Sequence, residues 1–162
     1  MDFRTPSSLL HELQGAVAAF PGNANRLRLD FNKQVLLGAL RSIGVKQVTV
    51  TYSGCGDSGQ IDDVEAKPEA APLTPVQVEL AKREANWDAI SGKWLEALVL
   101  RPLDLPTALA DFCDAAVEAT GHEGYQNHDG GQGTLTIDVN EGVVTLEHTD
   151  FYTESDTTAH AL

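Results

Sequence analysis

After Arg101 the chain contains neither lysine nor arginine, while twelve carboxylates fall in the last 61 residues. The first 101 residues hold the other twelve acids and all eleven basic side chains, so nearly all of the net charge of −13 belongs to the C-terminal part. One-signed charge of this density repels nucleic acid and anionic membrane and attracts basic partners or cations. Cysteine is scarce too: Cys55 and Cys113 cannot make a disulfide scaffold, and two reduced thiols fit a cytoplasmic setting. No apolar run approaches the roughly 18 residues of a membrane span. The start Met1-Asp2-Phe3-Arg4 lacks the basic and apolar regions of a signal peptide, so none is expected.

What remains is an ordinary globular composition, 42% hydrophobic over 162 residues, enough for one domain with a proper core. Thr5-Pro6 caps a first helix whose Leu9, Leu10, Leu13, Val17 and Phe20 keep helical spacing until Pro21-Gly22. A second helix fits Asn25 to Ile43, with Gly44 as its stop. The period then becomes two: Val48, Val50 and Tyr52 alternate with polar residues, a loop over Ser53 to Gly59 intervenes, and Gln60 to Glu65 returns. Residues 76–101 admit two readings. Thr74-Pro75 could cap a helix, yet Val76, Val78 and Leu80 alternate with polar residues and Ser91-Gly92 reads as a turn, which favours a long hairpin. Pro106 to Thr120 predicts a third helix, and Leu135, Ile137, Val139, then Val144 and Leu146, predict a hairpin turning at Asn140-Glu141-Gly142. The tail from Thr153 continues a weak alternation that would lengthen its last strand.

The expected fold is α+β, an antiparallel sheet built from hairpins with three helices packed on it. Residues 1–162 form one domain in this reading: a helical part over 1–44, hairpins over 45–101, and an acidic helix plus terminal hairpin over 102–162. Trp87, Trp94, Tyr125, Phe151 and Tyr152 are expected in the core or against a sheet face.

Three segments carry candidate chemistry. Gly56-Asp57-Ser58-Gly59 also surrounds the nucleophile of chymotrypsin-like proteases, but only His11 precedes Ser58, which excludes that triad order. The same glycines would let backbone amides cradle an anion, without the lysine of a P-loop. Asp57, Asp62, Asp63 and Glu65 put four carboxylates within nine residues, lacking the calcium-hand spacing. On a regular strand Asp62 would share a face with Gln60, and Asp63 with Glu65. The third segment, Tyr125 to Gly133, holds His128 and Asp129 among glycines that suit turn geometry, with His122 upstream; His148 and His160 stand alone.

Gly56-Asp57-Ser58-Gly59-Gln60-Ile61, followed by Asn127-His128-Asp129-Gly130-Gly131-Gln132-Gly133, resembles a family of small uncharacterised proteins from bacteria, plasmids and phages. His128 stands where that family more usually has a second asparagine. The resemblance extends over the terminal hairpin and the Thr157-Thr158-x-His160 ending. It implies a mobile-element setting, favours the hairpin over 76–101, and implies no activity.

Two functions are compatible with these residues. The first is a small acidic, non-enzymatic interaction protein that binds a basic protein surface, in the role of an inhibitor or nucleic-acid mimic, through Asp138, Glu147, Asp150, Glu154 and Asp156. It takes no nucleic acid or membrane as a direct partner and needs no cofactor. The second is a divalent-cation site, structural or hydrolytic, formed by Asp57, Asp62, His128 and Asp129 where the two glycine-rich loops would converge.

Overall fold

The computed structural model describes residues 5–69 and 72–162. The Met1–Arg4 start, on which the expectation of no signal peptide rests, lies outside them. Helix α1 spans Pro6–Ala19 and α2 spans Ala24–Ser42, joined through a single 3-10 turn at Pro21–Asn23. Strands β1 (Gln47–Cys55), β2 (Ser58–Lys67), β3 (Gln77–Asp88) and β4 (Lys93–Asp104) follow, then α3 (Leu105–Ala119), β5 (Gly131–Asp138) and β6 (Val143–Asp150). The expected α+β architecture of hairpin-built antiparallel sheet and three helices is the one observed.

Local chemistry sets the ends of the helices. Thr5 caps α1 by accepting a hydrogen bond from the Ser8 amide at 3.1 Å. At the end of α3, Gly121 takes φ +81°, and the amides of Gly121 and His122 donate back to the carbonyls of Glu118 and Val117. This left-handed cap closes the helix and fixes where His122 emerges.

Strands β2, β1, β5 and β6 form one four-stranded antiparallel sheet in that order, and β3 pairs with β4 as a two-stranded arm. Residues 76–101 therefore form the hairpin and not the helix, with pairs running from Gln77 opposite Asp104 to Asp88 opposite Lys93. On the sheet's inner face Val48, Val50 and Tyr52 meet Leu135 and Ile137, and Leu36, Leu40, Leu105, Leu109, Phe112 and Cys113 of α2 and α3 cover them. The arm joins this core at its base, through Val78 and Leu80. Asn32 of α2 secures it there: its side-chain amide donates to the Ala81 carbonyl and its oxygen accepts from the Ala81 amide, at 3.0 and 2.8 Å.

Two expectations are corrected and a third is narrowed. The loop over Ser53 to Gly59 shrinks to two residues, because β1 runs on to Cys55 and β2 starts at Ser58. Gly56 and Asp57 both have positive φ, the requirement of the tight hairpin turn whose twist matches its strands. The tail after Asp150 adds no strand; residues 151–162 carry no regular structure. Of the two places expected for the tryptophans, the core is excluded and a face of the arm's strands is taken. Trp87 and Trp94 face one another near the tip of the arm, edge to face with ring centroids 5.6 Å apart, and are 56% and 67% exposed. Phe151 and Tyr152 are exposed as well, whereas Tyr125 is half-buried against the core. Among the described residues no helix is long and apolar enough to cross a membrane.

Candidate functional site

The two glycine-rich segments converge at one end of the four-stranded sheet. The inner face ends there in two rows. One runs Ile61, Tyr52, Gly133, His148 across β2, β1, β5 and β6, and the next runs Gly59, Gly54, Gly131, Asp150. Three neighbouring strands thus place glycine in the terminal row, and the segment after α3 lies down on this floor. A Cβ on Gly59 would stand 2.6 Å from the Tyr125 hydroxyl oxygen, closer than any real side chain tolerates. The Asp57 amide donates to the Gln126 carbonyl at 3.1 Å, and the Gly130 carbonyl accepts from the Phe151 amide at 2.9 Å. The motifs are therefore read as packing surfaces and turn chemistry. The Asp57 amide, one of those that could have cradled an anion, is already engaged.

Gly133 has the more consequential place. It sits between Tyr52 and His148 in its row, and a Cβ there would fall 2.1 Å from the Tyr52 hydroxyl oxygen. Without one, the Tyr52 ring crosses β5 and brings its Oη to 2.6 Å from His148 Nδ1 on β6. The other imidazole nitrogen, Nε2, lies 2.8 Å from Asp150 Oδ1. The His148 side chain is only 3% exposed, whereas that of Asp150 is 66% exposed. His122 stacks on His148 with centroids 4.1 Å apart and 24° between planes, and Tyr125 meets both Tyr52 and His148 edge-on. Burial, reinforced by Cys113, Tyr125 and Asp150, pushes the Tyr52 phenol up to about 12, so it stays neutral. Beneath it, burial with the Asp114 charge second pushes the Cys113 thiol up to about 12, so this cysteine is inert and Cys55 is the exposed one.

The residues expected to hold a cation behave differently. Asp57 is in the tight turn, and His128 and Asp129 lie exposed in the facing loop, His128 with φ +58°. The Asp129 carboxylate accepts a hydrogen bond from the Thr153 hydroxyl. Asp62 is the extra residue of a β-bulge, because Thr51 pairs with Asp63 while Tyr52 pairs with Ile61. That slip puts Gln60 and Asp63 on the same face, and Gln60 donates to the Asp62 carboxylate. The regular alternation expected there is broken. Among the described residues, the set of three ligand atoms lying within 4.8 Å of one another comes from His122, His148 and Asp150, and from none of those four. His148 was legible only as a histidine in the apolar register of β6, two residues after Leu146. Two of its partners, Tyr52 and His122, are 96 and 26 residues away along the chain.

The opposite, outer face of the sheet carries the acids. Its rows read Glu65, Thr49, Thr136, Thr145 and then Asp63, Thr51, Thr134, Glu147. The row at the far end reads Lys67, Gln47, Asp138, Val143. Thr49, Thr51, Thr134 and Thr136 are half-buried while Thr145 and the flanking carboxylates are exposed, as on a sheet face that no other layer covers among the described residues. Asp138 also accepts from the Glu141 amide, a turn contact. Of the other expected binding acids, Asp150 belongs to the inner row beside His148, and Glu154 and Asp156 lie in the exposed tail.

No curated protein and no solved structure matches this chain. A family model matches residues 29–162, which take in most of α2 and everything after it, including the glycine floor, the histidine row and the tail, and leave α1 outside. By that match the chain belongs to DUF6878, a family of unknown function.

Proposed function

We propose that this protein is a small acidic interaction protein that binds a basic protein surface through the outer face of its four-stranded sheet. The observation that carries the reading is the composition of that face: Asp63, Glu65, Asp138 and Glu147 surround a floor of threonine hydroxyls, and Lys67 is the one cation in those rows. A flat surface with hydroxyl donors and acceptors at its centre and carboxylates at its border suits a partner presenting arginine and lysine around a polar patch. The one-signed charge of the last 61 residues would speed association and discourage nucleic acid from competing. An inhibitor that occupies the nucleic-acid-binding surface of a defence or replication protein, in a mobile-element setting, is the role that fits this chemistry.

The test is affinity capture from host lysate at low salt, with release by moderate salt and identification of the eluate. A parallel capture uses the chain carrying Asp63→Lys, Glu65→Lys and Glu147→Lys. A basic protein retained by the wild type and lost by the triple variant is the expected result. Equal recovery by both proteins would remove the outer face from the mechanism.

A further inference from the structure

We propose that His122, His148 and Asp150 form a binding site for a divalent transition ion of the zinc class. Nothing in this proposal depends on the acidic outer face, since the three residues lie on the inner face and at its edge. The donor set is two imidazole nitrogens and one carboxylate oxygen, all within 4.8 Å of one another. Two nitrogen donors favour Zn2+, Co2+ or Ni2+ over Mg2+ and Ca2+, which demand oxygen.

The three groups reach this place by separate devices. His122 is set by the left-handed cap that ends α3, His148 by the apolar register of β6, and Asp150 by standing two residues further on the same strand face. The support around them is that of a built site. The His148 side chain is almost fully covered, and Tyr52 Oη stands 2.6 Å from its Nδ1. With an ion on Nε2 the ring carries its proton on Nδ1 and donates to Tyr52, whose own burial holds the ring in line. Gly133 is what permits that contact. Asp150 already lies 2.8 Å from Nε2 and is largely exposed, so the ion's remaining positions face solvent. His122 is stacked on His148 rather than turned toward the same point. Binding therefore requires its ring to rotate out of the stack, which supplies a readout independent of affinity.

The experiment is titration of the full chain with Co2+, followed optically, and with Zn2+, followed by calorimetry, while imidazole proton resonances are recorded. One ion per chain is expected, with the His122 and His148 signals shifting together. His122→Gln and Asp150→Asn change partly accessible side chains and should each weaken binding by about tenfold or more, as should Tyr52→Phe through the loss of ring orientation. His128→Gln and His160→Gln should leave the affinity unchanged. Failure of the wild type to bind either ion below about 100 µM, on the order of −5.5 kcal/mol, would overturn the site. Wild-type affinity in either His122→Gln or Asp150→Asn would overturn it as well.

Discussion

At the scale of single residues the most informative position is one that carries no side chain. Gly133 is what allows a tyrosine on β1 and a histidine on β6 to meet across β5. The chain separates Tyr52 and His148 by 96 residues, so no local pattern could pair them, and His148 looked isolated. The glycines around it were legible as a motif, but their meaning was not. Turn geometry accounts for Gly56, whereas Gly59 and Gly133 are required by what lies over them. Gly133→Ala should therefore destabilise the protein by about 1–3 kcal/mol through overpacking against the buried Tyr52 ring. It should also break the Tyr52–His148 contact. Urea unfolding reads the first effect, and a change in the His148 ring resonances relative to the wild type reads the second. A variant of wild-type stability with the contact intact would show that the ring does not need the space.

At the scale of elements, helices and strands were legible wherever one period dominated. Both N-terminal helices, the terminal hairpin and α3 follow from spacing and caps. The stretch 76–101 was ambiguous because its polar alternation competes with a plausible helix cap. What decides it is pairing along twelve residues of each strand, together with the Asn32 side chain that binds β3 as another strand would. The choice between core and sheet face for the tryptophans is open in the sequence for a related reason. Aromatic content in a strand predicts packing, and at the tip of the arm, among the described residues, the ring contact of Trp87 is with Trp94. Two substitutions separate base from tip. Asn32→Ala leaves the Ala81 amide and carbonyl buried without partners and should cost about 2–3 kcal/mol, by the penalty for unmade buried hydrogen bonds. Trp94→Ala, at an exposed position, should cost under about 1 kcal/mol. Wild-type tryptophan fluorescence should be readily quenched by acrylamide. Protected tryptophans, or a Trp94→Ala cost equal to that of Asn32→Ala, would mean the tip is packed.

At the scale of the whole molecule, charge was the one property the sequence stated outright, and its placement was not. Three of the basic residues pair within the arm or against α3, Arg83 with Glu96, Arg101 with Glu84 and Lys82 with Asp111, and Arg26 pairs with Asp30 along α2. Arg101 holds the Glu84 carboxyl below its ordinary range, chiefly through their hydrogen bond. The C-terminal part has no such compensation within itself, so its carboxylates repel one another across the sheet and the tail. Salt weakens both effects. Exposed pairs of this kind are worth at most about 1 kcal/mol each, and they are few beside the carboxylates of the C-terminal part, of which Asp111 alone is paired with a lysine in these bridges. Repulsion therefore dominates. Raising ionic strength from about 0.01 M to 0.1 M shortens the screening length from roughly 30 Å to 10 Å. The urea midpoint should rise over that range with an unchanged slope, which marks stability rather than compactness. The triple variant Asp63→Lys, Glu65→Lys and Glu147→Lys should be at least as stable at low salt and should respond less to added salt. That outcome would make the outer face a stability liability, the usual mark of residues kept for binding rather than for the fold. A midpoint that falls with salt, or a triple variant that unfolds more easily, would instead assign these carboxylates to holding the sheet together.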